Sequence, residues 1–213
     1  MVISGLYVVT DEPLSHGKTH AEIAREAVAG GASIIQLRDK TASSAKMYAD
    51  ACSIVALCRG KAQVIVNDRI DVALASGADG VHLGQSDIPL AAARNLCGPD
   101  FIIGISVGSV EEADAAVAGG ASYVAVSPVY STASKPDAGC GHGLELVRAI
   151  KAKYPQVPLV GIGGLSLQNT ADAVAAGLDA VAVISAVVSQ PDITDAARRM
   201  AAVIAGACHD RTQ

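Results

Sequence analysis

Residues 71–84 read DVALASGADGVHLG, and closely similar segments occur at three other places in the chain. They are EAVAGGASIIQLR at 26–38, DAAVAGGASYVAVS at 114–127 and DAVAAGLDAVAVIS at 172–185. Each segment reads as the end of an Ala-rich amphipathic helix, a Gly suited to a left-handed helix cap, and a short β-branched strand. The cap glycines are Gly31, Gly77, Gly120 and Gly177. Self-similarity at intervals of several tens of residues indicates a repeated supersecondary unit.

The same unit can be extended over the whole chain. It predicts strands near 6–10, 33–38, 63–67, 80–84, 102–106, 123–127, 159–163 and 180–184. Helical patterns follow them near 19–29, 43–58, 69–76, 88–96, 110–118, 143–153, 167–176 and 192–205. Eight alternating units without a linker predict one (β/α)8 TIM-barrel domain over residues 1–213. A doubly wound sheet is the alternative, although it rarely needs eight similar repeats.

Composition restricts the class of partner. Hydrophobic residues make up 51% of the chain but aromatic residues only 3%, which favours a core of Val, Ile, Leu and Ala in a parallel sheet. The formal net charge of −5 argues against binding nucleic acid or an anionic membrane surface. The longest apolar stretch, 180–188, is too short to span a bilayer.

The cysteines and the first residues indicate a cytoplasmic protein. Five Cys residues without a C-x-x-C pair read as reduced thiols. The N-terminus lacks the basic region of a signal peptide. The Ala-rich helices would let a neighbouring subunit approach closely, so we expect a homodimer.

The segment QLRDK ends the second predicted strand. Residues at i, i+2 and i+4 share a strand face, so Gln36, Arg38 and Lys40 can converge while Leu37 and Asp39 point away. An amide, a guanidinium and an ammonium group together suit a phosphate or pyrophosphate. Surface charges near a strand end are the alternative interpretation.

Two carboxylates follow the next two strands. Asp68 comes directly after the third strand, beside Asn67, and Asp87 follows the fourth. Mg²⁺ is commonly held by one or two carboxylates together with substrate phosphate oxygens. Salt bridges to Arg38 and Lys40 would explain the same residues without a metal. The barrel places these residues on its active face. The nearby cations favour the metal interpretation, because two carboxylates beside a pyrophosphate need a metal to offset the repulsion.

A long polar loop follows the sixth strand and contains Thr132, Ser134 and Lys135. Such loops are often binding loops or lids. Gly163 and Gly164, with the backbone near Ile184 and Ser185, are typical of a phosphate site after strands seven and eight. Two histidines look structural: His82 reads as a packed barrel residue, with a catalytic base as the alternative, and His142 reads as a surface residue.

These segments together resemble the thiamine phosphate synthase family. The resemblance is carried by QLRDK, VNDRIDVALASGADGVHLGQSD, GIS, SPVYSTASKPDAG and GIGG, and it extends from YVVTD at 7–11 to VISA at 183–186. It implies a Mg²⁺-dependent (β/α)8 barrel that joins hydroxymethylpyrimidine pyrophosphate to a thiazole phosphate and releases pyrophosphate. Whether the thiazole carries an additional carboxylate is left open. Val107 and Gly108 depart from the family, which often has a small residue and then His after the serine.

The resemblance also implies a role for each matching position. The segment Gln36, Leu37, Arg38, Asp39 and Lys40, with Asn67 and Ser106, would bind the pyrimidine pyrophosphate, and Lys135 its pyrophosphate group. Thr132, Ala133, Ser134, Gly164, Ile184 and Ser185 would bind the thiazole phosphate. The metal ligands would be Asp68 and Asp87, and the catalytic residues would be Arg38, Lys40, Ser106 and Lys135.

Three other functions remain as alternatives. A thiazole tautomerase on the same scaffold would bind one phosphorylated thiazole. A sugar-phosphate epimerase or aldolase barrel would want a Schiff-base Lys or paired acidic bases inside the strands. A non-catalytic binding protein would have no use for a complete metal and pyrophosphate receptor.

Overall fold

Eight parallel strands form a closed barrel in sequence order. The computed structural model describes residues 3–131 and 141–211. The strands are β1 (Gly5–Val9), β2 (Ile34–Leu37), β3 (Gln63–Asn67), β4 (Gly80–Leu83), β5 (Ile102–Val107), β6 (Tyr123–Val126), β7 (Leu159–Ile162) and β8 (Ala180–Val183). Pairing of β1 with β8 closes the ring, with Tyr7 opposite Ala182. The predicted (β/α)8 fold is confirmed.

Helices alternate with the strands. They are α1 (His20–Ala29), α2 (Ser44–Cys58), α3 (Ile70–Ser76), α4 (Leu90–Cys97), α5 (Val110–Ala118), α6 (Gly143–Lys153), α7 (Thr170–Ala175), α8 (Ser185–Val188) and α9 (Ile193–Arg211). The last unit contains two helices, since the four-residue α8 precedes α9. None of the helices in the described part of the chain is long and apolar enough to cross a membrane.

Local sequence signals explain where helices begin and end. Thr19 accepts a hydrogen bond from the backbone N–H of Glu22, whose carboxylate accepts from Thr19 in return, and this capping box starts α1. At the other end, Gly77 closes α3 in the left-handed conformation, with φ 71°. The other three predicted cap glycines also have positive φ, so the repeated segments end their helices as the sequence predicts.

Alternation along each strand divides the interior into two layers. On β1, Leu6 and Val8 pack outward into the layer between strands and helices. Tyr7 and Val9 point into the barrel, where they join a separate inner cluster. The inner cluster fills the lower barrel and forms the floor of an opening at the carboxyl ends of the strands.

Candidate active site

One cavity opens at the carboxyl ends of the strands and reaches down to the inner cluster. It brings together side chains from β2 to β5 and backbone from the ends of β7 and β8. Ten of the sequence-predicted site residues line it: Gln36, Arg38, Lys40, Asn67, Asp68, Asp87, Ser106, Gly164, Ile184 and Ser185. All ten come from positions where a strand ends or a βα loop begins, as this fold requires of a site.

The β2 end supplies the positive charge. Gln36 is 5% exposed and donates from Nε2 to the hydroxyl of Tyr7 at 2.6 Å. Arg38 lies 3.5 Å from Asp11 through Nη1, and its side chain is 16% exposed. The carboxylate of Asp11 thereby orients one nitrogen of the Arg38 guanidinium. Arg38 and Lys40 both line the cavity. This arrangement suits a polyanion at the mouth of the barrel.

Leu37 and Asp39 of the same segment do not line the cavity. Leu37 is fully buried in the outer layer against the helices. Asp39 folds back on its own loop and accepts hydrogen bonds from the N–H groups of Thr41 and Ala42, both at 2.8 Å. Burial opposes ionisation of this carboxyl, but these bonds outweigh it and lower the pKa of Asp39 to about 2. Neither side chain therefore faces a ligand in the barrel mouth.

Asp39 also belongs to a cluster behind β2. Ligand-type atoms of Glu12, His20 and Asp39 all lie within 4.8 Å of one another. Protein partners account for the cluster: His20 Nδ1 lies 2.7 Å from Thr10 Oγ1, and its Nε2 lies 3.4 Å from Asp39 Oδ2. We interpret it as a support for the loops that carry Arg38, because Thr10 Oγ1 also accepts from the N–H of Arg38.

The predicted metal ligands lie on adjacent strand ends. Asp68 has φ 62°, a conformation that is costly for a residue with a side chain. Asp87 accepts a 2.6 Å hydrogen bond from the N–H of Gly84 through Oδ2, which engages one of its two oxygens. Two carboxylates beside Arg38 and Lys40 form a donor set that fits Mg²⁺ carrying a pyrophosphate. The strained backbone at Asp68 is the type of feature that proteins keep at functional sites.

Glycine backbone forms the opposite side of the cavity. Gly163 and Gly164 follow β7 with φ 100° and 63°. A Cβ on Gly164 would lie 2.7 Å from Tyr130 Cβ and 2.8 Å from Ser131 O. The close approach of Tyr130 and Ser131 therefore depends on glycine here. Ile184 and Ser185 complete this side at the start of α8.

Comparison with known proteins identifies the family. The family model described as thiamine monophosphate synthase matches residues 6–187. The chain is 54% identical over 198 residues to a thiamine-phosphate synthase of Methanospirillum hungatei, covering 92% of this chain and 96% of that relative. This chain belongs to the thiamine monophosphate synthase family.

Other members of the thiamine monophosphate synthase family agree in sequence and in fold. A thiamine-phosphate synthase of Chloroflexus aurantiacus is 46% identical over 200 residues, covering 93% of this chain and 92% of the relative. A solved thiamine phosphate pyrophosphorylase from Pyrococcus furiosus has a TM-score of 0.88 and 39% identity, covering 96% of both chains. Both matches span nearly the complete barrel.

Part of the expected thiamine monophosphate synthase site lies outside the described residues. Thr132, Ala133, Ser134 and Lys135 all fall in the segment 132–140. Their assignment therefore remains a prediction from the sequence. The described residues on either side of this segment, Ser131 and Gly141, follow β6 and precede α6.

Gly108, where we expect this chain to depart from the family, lies against a histidine. A Cβ on Gly108 would lie 3.0 Å from Nε2 of His142, which precedes α6. The imidazole of His142 therefore occupies the space beside this position. His142 is exposed and does not line the cavity, in agreement with its interpretation as a surface residue.

Sequence reasoning missed three polar residues of the cavity floor: Tyr7, Tyr123 and His82. His82 stacks on Tyr123 inside the barrel, as its interpretation as a packed residue predicts, and it also lines the cavity and makes polar contacts with Tyr123 and Ser106, both at 2.9 Å. The alternation of β4 could have revealed it, since His82 shares a face with Gly80 and Gly84 and a polar side chain inside a barrel needs partners.

Proposed function

We propose that this protein is a thiamine-phosphate synthase, which joins hydroxymethylpyrimidine pyrophosphate to a thiazole phosphate and releases pyrophosphate. The observation that carries the proposal is the make-up of the cavity. It combines a cationic set from β2, two carboxylates from β3 and β4, and a separate glycine-lined side after β7 and β8. A site of this kind suits two phosphorylated substrates bound together, and family membership supports the same conclusion.

The reaction breaks the C–O bond between the pyrimidine methylene group and pyrophosphate and forms a C–N bond to the thiazole nitrogen. The electron pair of the broken bond leaves with pyrophosphate, and the thiazole nitrogen supplies the pair for the new bond. The demand on the protein is therefore to stabilise negative charge on the leaving group and to align the two substrates. Arg38, Lys40 and Lys135 would supply the charge, and Gln36, Asn67 and Ser106 would hold the pyrimidine portion.

Mg²⁺ would be held by Asp68 and Asp87 together with pyrophosphate oxygens. When bound, it would supply positive charge that offsets the repulsion between these carboxylates and the substrate and that stabilises the leaving group. The support for this assignment is the chemistry of the donor set, since hard oxygen ligands suit Mg²⁺ and the flanking cations suit the polyanion.

The thiazole phosphate would bind on the opposite side, against Gly164, Ile184 and Ser185. Backbone N–H groups in glycine-rich turns are effective phosphate donors because no side chain blocks their approach. Thr132, Ala133 and Ser134 would contact the same substrate from the loop after β6. The loop would thereby connect the thiazole side with Lys135 and the leaving pyrophosphate.

The decisive experiment measures pyrophosphate release with each substrate alone and with both. We expect release and thiamine phosphate formation only when both substrates and Mg²⁺ are present. Turnover of the thiazole phosphate alone would instead indicate a tautomerase. Binding of either compound without any product would indicate a binding protein, and both outcomes would overturn the proposal.

We further propose that the chain acts as one domain in a cytoplasmic homodimer. Large apolar side chains are exposed on three consecutive helices, with Tyr48 at 45%, Leu74 at 44% and Leu96 at 63%, and a second subunit would cover them. Cys52, Cys58 and Cys97 are free thiols, which suits a reducing compartment. Sedimentation equilibrium of the purified protein at micromolar concentration would test the dimer, and a monomer would contradict it.

A further inference from the structure

Five polar side chains from five strands form a continuous hydrogen-bonded chain across the cavity floor. Gln36 Nε2 lies 2.6 Å from the Tyr7 hydroxyl, which lies 3.0 Å from the Tyr123 hydroxyl. The Tyr123 hydroxyl lies 2.9 Å from His82 Nδ1, and His82 Nε2 lies 2.9 Å from Ser106 Oγ. All five residues line the cavity. The chain therefore links the β2 side of the cavity to Ser106 on β5.

The two tyrosines at the centre of the chain each have one hydroxyl hydrogen to donate. Tyr7 and Tyr123 are at most 1% exposed. Burial raises the pKa of both phenols far above the ordinary value, although the hydrogen bonds with Tyr123 and Gln36 partly oppose the rise at Tyr7. Both groups are therefore neutral at physiological pH, and each hydroxyl donates one hydrogen bond and accepts others.

The amide end fixes the direction of the chain. Gln36 donates from Nε2 to Tyr7, and either hydroxyl of the Tyr7–Tyr123 pair can be the donor; directing the hydrogen of Tyr7 to Tyr123 is the arrangement that gives every hydrogen in the chain an acceptor. The hydrogen of Tyr123 is then directed to His82 Nδ1, which must accept it. A neutral imidazole that accepts at Nδ1 carries its proton on Nε2 and donates it to Ser106 Oγ. The hydrogen of Ser106 is thereby left for a partner other than His82.

We propose that Tyr7, Tyr123 and His82 are positioning residues that make Ser106 a hydrogen-bond donor to a ring nitrogen of the pyrimidine substrate. This inference rests on the proposed function and adds a device to the same site. A neutral acceptor fits the place, because Ser106 Oγ contacts His82, whose ring stacks on Tyr123, whereas Arg38 and Lys40 come after the end of β2. Aligned neutral hydrogen bonds strengthen one another in such an environment.

The packing around Tyr123 keeps the chain in one arrangement. A Cβ on Gly104 of β5 would lie 1.9 Å from Tyr123 Cζ, so the ring occupies a recess that only glycine leaves open. On the other side the ring stacks with His82, with centroids 5.6 Å apart and planes at 22°. Tyr7 meets Tyr123 edge-on at 6.3 Å. A floor packed in this way holds Ser106 and the Nε2–H group of His82 that donates to it in a fixed arrangement before substrate enters.

The kinetic test compares Tyr123→Phe with Tyr7→Phe in the full-length protein. Tyr123→Phe keeps the ring but removes the donor to His82, and we expect kcat/KM for the pyrimidine substrate to fall roughly 10–100-fold. The KM for the thiazole phosphate should change less than about twofold, since the hydrogen-bonded chain ends at Gln36 and Ser106, both of which are assigned to the pyrimidine substrate. Tyr7→Phe leaves the bond from Tyr123 to His82 in place, so its effect should be several-fold smaller. Tyr154→Phe is the matched control, because it also deletes a tyrosine hydroxyl bond, at 2.7 Å to Asp114, on the outer surface.

A spectroscopic test reads the direction of the chain without using activity. In ¹⁵N-histidine-labelled protein, protonated and unprotonated ring nitrogens have separate chemical shifts, and His82→Gln identifies the signals of His82. We expect the proton on Nε2 in the wild type and in Tyr7→Phe, and a mixture of tautomers in Tyr123→Phe. A proton on Nδ1 in the wild type would overturn the inference, and so would Tyr123→Phe kinetics equal to those of Tyr154→Phe. Failure of the wild type to make thiamine phosphate would reject the proposed function, and the tautomer would still decide the direction of the chain.

Discussion

Replacing Gly164 by Ala should weaken the thiazole side of the cavity selectively. The new Cβ would lie 2.8 Å from Ser131 O and 2.7 Å from Tyr130 Cβ, whereas ordinary contact begins at 3.4 Å. The start of the loop after β6 must therefore move away from the glycine turn. Alanine at φ 63° also adds backbone strain of roughly 1–2 kcal/mol.

Gly77→Ala separates the two effects. Gly77 has φ 71°, but its Cβ would meet nothing within 4 Å, so this variant carries the backbone strain alone. In Gly164→Ala, displacing the packed atoms of Tyr130 and Ser131 should cost a further ~1–3 kcal/mol of stability. For a chain of this size we expect Gly164→Ala to melt about 2–12 °C below Gly77→Ala.

Steady-state kinetics at saturating co-substrate give the functional half of the test. In Gly164→Ala, the KM for the thiazole phosphate should rise at least about tenfold, a loss of roughly 1.4 kcal/mol of binding, while the KM for the pyrimidine pyrophosphate stays within about threefold. If Gly164→Ala matches Gly77→Ala in melting temperature and in both KM values, the reasoning about this contact is wrong. Equal weakening of both substrates would mean that the cavity contains one anion site instead of two.

Three further predictions concern the other groups of the site. Arg38→Lys keeps the charge but loses the planar fork, so binding of the pyrimidine pyrophosphate should weaken roughly 10–100-fold with little change for the thiazole phosphate; equal effects on the two substrates in titration calorimetry would contradict this. Asp87→Asn can still accept from Gly84 and should melt near the wild type, but its half-saturating Mg²⁺ concentration should rise roughly tenfold or more. Full wild-type turnover in EDTA would remove the metal assignment. Asp39 has a pKa of about 2, below its ordinary 3.8, so its contribution to stability is present above about pH 4 and is lost as pH falls towards 2. Asp39→Ala should therefore be roughly 1–2 kcal/mol less stable than the wild type at pH 7, and denaturant melts should show that gap narrowing towards pH 2; a constant gap would contradict the shift.

The strands and most helices could be predicted because each repeat carries its own signals. β3 has the bounds predicted for it, 63–67, and α5 those predicted for it, 110–118. The helix after β7 starts at Thr170 instead of 167, since Asn169 Oδ1 accepts from the N–H of Ser166 and holds a turn there. The separate helix α8 has four residues, too few for a helical period to be recognised in a sequence.

The mouth of the site could be predicted better than its floor. Charged residues such as Arg38 and Asp68 stand out at the ends of apolar runs, and the fold tells on which face those ends meet. Tyr7, Tyr123 and His82 lie inside strands, where alternation predicts the side of the sheet but does not predict how far down the barrel open space extends. An aromatic or imidazole side chain in that position looks the same in the sequence whether it packs or lines a cavity.

The division of the interior into two layers determines where the protein can be engineered. Tyr7 and Tyr123 belong to the inner cluster and also line the cavity, so a change that repacks the barrel interior also alters the site. Most of the outer layer, including Ile54 and Val147, does not line the cavity. Thermostabilising substitutions placed there should leave substrate preference unchanged. Substitutions that change substrate preference should lie inside the barrel, and we expect them to lower stability.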